Sequence, residues 1–193
     1  AGDCTGEDVD GDGYFGNYPT THTQHDTDDA NACVPDGNGS PTTTVIVNQG
    51  IDTYLKEKSN NRDENYGKKT NIHHKATANE EERGLIQFDV TPHAGKSVIS
   101  ATLYMYLEKG EGGGNMIDAH RLITPWEEGT ETGATGVSNW DEATNTIDWG
   151  TPGGDHHSSI EGSMTTESVG YKTMTLSAAL VQDWIDNPAA NFG

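Results

Sequence analysis

The chain has 193 residues and carries 31 Asp and Glu against 11 Lys and Arg, a formal charge of −20. A polyanion would be repelled by that balance, which argues against a nucleic-acid partner. No run approaches the roughly 18 apolar residues of a membrane span, so no spanning helix is expected. The length suits one substantial domain plus an appendage.

The appendage comes first. Residues 1–41 are rich in Gly, Asp, Asn, Thr and Pro, with hardly any aliphatic side chains, and cannot bury a core alone. From Ala1 to Leu55 there is no Lys or Arg, yet ten acids. Self-repulsion at that density costs stability, which bound divalent ions would offset. Ala1 is the kind of small residue that signal cleavage leaves, so the expectation is a mature secreted chain, extracellular or at a cell surface. Cys4 and Cys33 bracket the acidic stretch. In a secreted chain they are expected to pair and close a loop, two buried thiols being the alternative. Such a closure stabilises by about 3–4 kcal/mol. Pro35 to Pro41 is dense in turn formers and reads as a linker; within it Asn38-Gly39-Ser40 fits the N-glycosylation acceptor pattern. The domain expected after it covers residues 42–193.

Asp8-Val9-Asp10-Gly11-Asp12-Gly13-Tyr14 is the most specific local signal. Alternate carboxylates in a tight turn converge on one hard cation, with the Tyr14 carbonyl as the next ligand. Calcium takes six to eight oxygens, so Asp26, Asp28 and Asp29 are candidates for completing the shell. The twelfth position counted from Asp8 is Pro19 where an EF-hand needs a bidentate Glu, so this is no EF-hand. The alternative is a solvated acidic tail. On these residues the segment resembles the aspartate-rich metal-binding motif of secreted bacterial proteins, akin to thrombospondin type 3 repeats, with His25 and Thr27 as departures.

Beyond the linker the hydrophobic period changes. Thr44–Val47 and Thr53–Leu55 read as short strands. In 85–90, Ile86, Phe88 and Val90 share a face; in 101–107, Ala101, Leu103, Met105 and Leu107 do. That two-residue period marks strands with one buried side. Met116–Ile123 and Tyr171–Leu176 read as further strands, with a Gly-rich turn at 110–114. Ser177 is a plausible cap for one helix with Leu180, Val181, Trp184 and Ile185 on its apolar stripe, stopped at Asn187-Pro188. The expected fold is an all-β, jelly-roll-like β-sandwich with one short C-terminal helix and an extended N-terminal arm.

Several ordered pieces also resemble a family. They are Asp52-Thr53-Tyr54, Asn65-Tyr66-Gly67, Arg83 to Asp89, Ile99 to Leu103, Trp126-Glu127-Glu128, Trp149 with Gly153-Gly154-Asp155, and Asp183-Trp184 to Asn191-Phe192-Gly193. In that order they are similar to the DNRLRE domain, grouped with family 96 carbohydrate-binding modules and disaggregatase-related repeats. The resemblance implies a jelly-roll sandwich, a secreted or surface setting, and polysaccharide binding in some members. It also leads to the expectation of another apolar strand after Gly193, whose lack would leave an open sheet edge.

Catalytic signatures are lacking: no H-E-x-x-H, G-x-S-x-G or nucleotide loop occurs, and no enzyme is expected. His73-His74 and His156-His157 could bind a transition metal, or be ordinary surface residues. Trp126, Trp140 and Trp149, with Tyr104 and Tyr106, are candidates for stacking on sugar rings, or else core residues. Two functions remain. The first is a calcium-stabilised structural subunit of an extracellular filament or surface assembly, a homopolymer linked head-to-tail through the arm. The second is a secreted, non-catalytic carbohydrate-binding module acting on a polysaccharide.

If the acidic turn holds calcium, Asp10→Asn removes one of its converging carboxylates. Calorimetric titration of the full chain is expected to show calcium affinity reduced by about tenfold or more. Unchanged binding would exclude this turn.

Overall fold

The computed structural model describes residues 45, 47, 50–110 and 115–193. The arm, with Cys4, Asp8, Asp10, Asp12, Tyr14, Asp26, Asp28, Asp29, Cys33 and Asn38, lies outside the described residues. Of the expected strand 44–47, only Val45 and Val47 are described, and neither is in a strand.

Strand β1 (Gly50–Lys56) pairs antiparallel with β3 (Glu82–Phe88) along its whole length, from Gly50 opposite Phe88 to Lys56 opposite Glu82. Between them in sequence, β2 (Glu64–Asn65) pairs with the distant β6 (Ala134–Thr135). The remaining pairs nest inside one another. The outermost joins β4 (Ala101–Leu107) to β10 (Gly170–Leu176). Inside it, β5 (Met116–Ala119) pairs with β9 (Gly162–Thr165). Leu122 then bridges His156, and β7 (Glu142–Thr144) meets β8 (Ile147–Asp148) at the tip. Strands β4, β5, β7, β8, β9 and β10 thus form one long antiparallel ribbon doubled back on itself. Coiling such a ribbon into two layers is how a jelly-roll sandwich is made, and the fold is an all-β sandwich with one short C-terminal helix. In one layer β9 also lies alongside β10, where the Ser177 N–H donates to the Glu161 carbonyl at 3.0 Å.

The core is built around aromatic bulk. Leu55, Leu85, Leu122, Trp126, Trp140, Ala143 and Trp149 form one buried cluster, with Ile51 and Phe192 packed on it. A second cluster of Val90, Leu180, Trp184 and Ile185 lies under helix α1 (Ala178–Asp186). Ser177 caps that helix as expected, its Oγ accepting from the Leu180 N–H. Strand β3 departs from its expected one-sided pattern: Leu85 is its buried residue, while Ile86 and Phe88 are half-buried on the other face. The reason is that both faces are covered, one by the tryptophan cluster and the other, at Phe88, by the cluster under the helix.

Two devices close the sandwich. The first is Asn65, fully buried. Its Nδ2 donates to the carbonyls of Glu128 (2.9 Å) and Val137 (2.6 Å). Its Oδ1 accepts from the N–H groups of Gly67 (3.1 Å) and Glu131 (3.0 Å). Gly129, at φ +75°, presses against this amide so closely that any Cβ there would overlap it. The second is the segment 191–193. Gln87 Nε2 donates to the Asn191 carbonyl at 2.6 Å, and Asn191 Nδ2 donates to the Phe88 carbonyl at 2.9 Å. The Leu122 N–H donates to the Gly193 carbonyl at 2.8 Å. Residues 191–193 thus lie against the end of β3, and at Glu82 the strand is met by Lys75 through two backbone bonds.

Tyr54 is sandwiched between the rings of Tyr66 (4.3 Å between centroids) and His73 (4.5 Å). Burial, and then the charges of Glu82 and Glu64, push the Tyr54 phenol up to about 12. Because the folded value lies above the ordinary one near 10, the unfolded chain releases this proton first as pH rises. Stability is therefore expected to fall between about pH 10 and 12, and Tyr54→Phe should flatten that fall in thermal melts. An identical pH profile in the variant would show that the phenol does not contribute. Asn65→Ala strands four part-buried backbone groups at once and is expected to cost roughly 3 kcal/mol in urea denaturation.

Candidate functional site

Alternation along β4 and β10 sends one set of side chains outward. Thr102, Tyr104 and Tyr106 are exposed on β4, as are Tyr171, Thr173 and Thr175 on β10. The register sets them side by side: Tyr106 opposite Tyr171, Tyr104 opposite Thr173, Thr102 opposite Thr175. The three tyrosines are 71 % (Tyr104), 56 % (Tyr106) and 83 % (Tyr171) exposed. The Tyr106 and Tyr171 rings meet edge to face, with centroids 5.1 Å apart. On β5 and β9, exposed Met116 lies opposite Thr165, and Asp118 accepts a 2.6 Å bond from the Ser163 hydroxyl. In a chain of charge −20, the outward positions of these four strands carry a single carboxylate, Asp118.

An exposed aromatic patch on a sheet face is a candidate binding surface. Tyrosine offers a flat apolar ring with a polar tip, and threonine hydroxyls both donate and accept. That combination suits a ligand with alternating C–H faces and hydroxyls. The family model for carbohydrate-binding module family 96 matches residues 43–178, which include all three tyrosines. The chain belongs to carbohydrate-binding module family 96. No curated protein and no solved structure matches it. The aspartate-rich segment precedes the matched residues.

In this module the tryptophans take the second of the two roles open to them and are core residues. Trp126, Trp140 and Trp149 are only 6 %, 4 % and 4 % exposed. Trp126 Nε1 donates to the Phe192 carbonyl at 2.7 Å and Trp149 Nε1 to the Asn139 carbonyl at 2.9 Å, so their polar edges are engaged inside. The Arg62 and Arg83 guanidinium groups lie 6.0 Å and 5.2 Å from the Trp140 ring. Gly153, at φ +92°, lets the backbone approach that ring, and its carbonyl accepts from Arg83 Nη1 at 2.9 Å. The physical reason is size: the indoles are the largest apolar surfaces available to a sandwich of modest aliphatic content.

Asp155 and Asp52, from two further family pieces, are likewise engaged within the domain. Burial raises the Asp155 carboxyl, but hydrogen bonds from the Gly150 and Thr151 N–H groups and the Thr124 hydroxyl, with His156 nearby, outweigh it and leave the group below the usual range. Asp155 therefore acts as an ionised cap on the loop around 150–155. Asp52 is pushed up by burial and then by Glu128, whose Oε1 accepts the Asp52 N–H at 3.1 Å. His73 faces Glu82 at 3.3 Å beneath the tyrosine stack. Among the described residues no group of three or more His, Cys, Asp or Glu is placed to hold a metal. A shallow cleft of about 330 Å³ lies between Arg121–Ile123, His157, Glu161 and the residues Ala190 and Phe192. Its Arg121 is tied to Asp183 at 2.7 Å.

The sequence named Tyr104 and Tyr106 but not Tyr171. The missing signal was the pairing register, since only the alignment of β10 on β4 brings Tyr171 beside Tyr106.

Proposed function

We propose that this protein is a secreted, non-catalytic module that binds a polysaccharide chain on the outer face of β4 and β10. The observation carrying this reading is the set of three exposed tyrosines on one sheet face, within a chain of a carbohydrate-binding family. The Tyr104, Tyr106 and Tyr171 rings would stack on successive sugar rings. Thr102, Thr173 and Thr175 would exchange hydrogen bonds with the hydroxyls. Because the strands are backbone-paired throughout, the face is held before ligand arrives, and little ordering entropy is lost on binding.

The acidic arm would hold calcium through Asp8, Asp10 and Asp12 with Asp26, Asp28 or Asp29, and serve as a stiffened spacer to whatever carries the module. The head-to-tail filament reading rested on that arm and on an unfilled edge. With residues 191–193 seated against β3, and with family membership favouring sugar binding, the carbohydrate reading takes first place.

The test is affinity electrophoresis and calorimetry on the full chain against a panel of neutral and anionic polysaccharides. For the polymer that binds, Tyr104→Ala and Tyr171→Ala are each expected to weaken affinity about tenfold, equivalent to about 1.4 kcal/mol. Thermal stability should barely change, since both rings are largely in water. Trp149→Phe should do the reverse, lowering stability and sparing affinity. A triple tyrosine-to-alanine variant that stays folded and still binds at full strength would rule this face out.

A further inference from the structure

We propose that His120 and His156 form a two-imidazole site for a borderline transition-metal cation such as Zn²⁺, Ni²⁺ or Cu²⁺. The ribbon brings them together. His120 follows β5, and His156 bridges Leu122 on the opposing strand; next to it the His157 N–H donates to the Arg121 carbonyl at 2.8 Å. The two rings lie 4.8 Å apart, tilted by 49°. Sequence order alone pointed to the adjacent pair His156-His157, but neighbours along an extended chain point to opposite sides.

The tautomers carry the argument. His120 Nδ1 lies 3.1 Å from the His157 carbonyl oxygen, and His156 Nδ1 lies 3.0 Å from the same oxygen. A carbonyl oxygen can only accept, so in both rings Nδ1 bears the proton. Each neutral ring is left with an unshared pair on Nε2. A backbone carbonyl on the far nitrogen is the arrangement that orients metal-binding histidines and raises their basicity. Here one carbonyl does this for two rings. His157 itself is differently engaged, its Nδ1 accepting from the Ser159 N–H at 3.3 Å.

Bonds of roughly 2.0–2.1 Å to one tetrahedral ion require the two Nε2 atoms about 3.3 Å apart. Rings whose centroids lie 4.8 Å apart can turn their Nε2 atoms to that spacing only by bending both Nδ1–H bonds away from straight approach to the shared oxygen. Imidazole nitrogen selects zinc, nickel and copper, not calcium, so the site is chemically distinct from the acidic arm. No third His, Cys, Asp or Glu joins the pair among the described residues, so the remaining positions fall to water or an incoming ligand. The site is therefore open and exchangeable. It does not depend on the tyrosine face, and either reading can fail without the other.

The experiment uses the full chain, with excess calcium to occupy carboxylate sites. Zn²⁺ is titrated while imidazole nitrogens are followed by long-range proton–nitrogen NMR. Before zinc, His120 and His156 should both show the Nδ1–H tautomer; at the first equivalent their Nε2 signals should shift together. By calorimetry, His120→Gln and His156→Gln should each weaken the first zinc event at least tenfold, while His93→Gln should leave it unchanged. Lower pH should weaken binding, since imidazoles must be neutral to ligate. The proposal is overturned if other histidines shift first, or if both Gln variants bind zinc as the parent does. The NMR measurement needs no variant and decides the matter even if a substitution impairs folding.

Discussion

One buried amide holds the loops of this sandwich in place. Asn65 is the kind of residue that is costly inside a protein unless every polar atom is matched, and here all four of its hydrogen-bonding positions are used. One bond is local, to Gly67, and the other three reach backbone groups at 128, 131 and 137, more than sixty residues along the chain. Those segments flank Trp126 and Trp140, so the amide also sets where the indole cluster sits. A hydrophobic residue of similar volume could fill the space but could not satisfy four peptide groups. Glycine at 129 follows from the same constraint, since the backbone must close to within contact of the amide.

With the loops anchored, the division of labour among aromatics becomes clear. The indoles face inward, where three of them share one cluster and their N–H groups or faces meet carbonyls and guanidinium groups. Tyr54 and Tyr66 form a buried stack with His73, and Lys56 Nζ lies 4.8 Å from the Tyr66 ring centroid. Tyr104, Tyr106 and Tyr171 remain outside on a face that is nearly free of charge. Strand parity leaves the three tyrosines in solvent, whereas the three indoles, which lie outside the strands, fill the core. A ligand can therefore occupy the outer face without disturbing the core.

Charge is segregated as well. All three arginines of the chain are committed to carboxylates: Arg62 to Asp141, Arg83 to Glu81 and Arg121 to Asp183. Exposed pairs of this type add little stability, and their effect here is to orient guanidinium groups over Trp140 and beside the cleft. The outer sheet face is kept clear of this network, which leaves hydroxyls and rings as its chemistry. The histidine pair lies at the end of β5, where the strands begin to part toward Leu122.

Much of this was legible in the sequence, for a local reason. Strand β4 alternates so strictly that its limits, its inward face and two of its outward tyrosines follow from residue order alone. The capped helix at 178–186 is equally local, and the ordered family pieces carried the sandwich fold. What residue order does not encode is which strand lies beside which. The short strands β2 and β6–β9 have too few residues to show a period, and they exist because distant partners supply their hydrogen bonds. Burial of the three tryptophans, the addition of Tyr171 to the outer face, the pairing of His120 with His156 rather than His156 with His157, and three of the four Asn65 bonds all depend on contacts between segments tens of residues apart. Side-chain direction within a strand is set by chain chemistry, whereas the neighbour it meets is set by register, and register is a property of the folded ribbon.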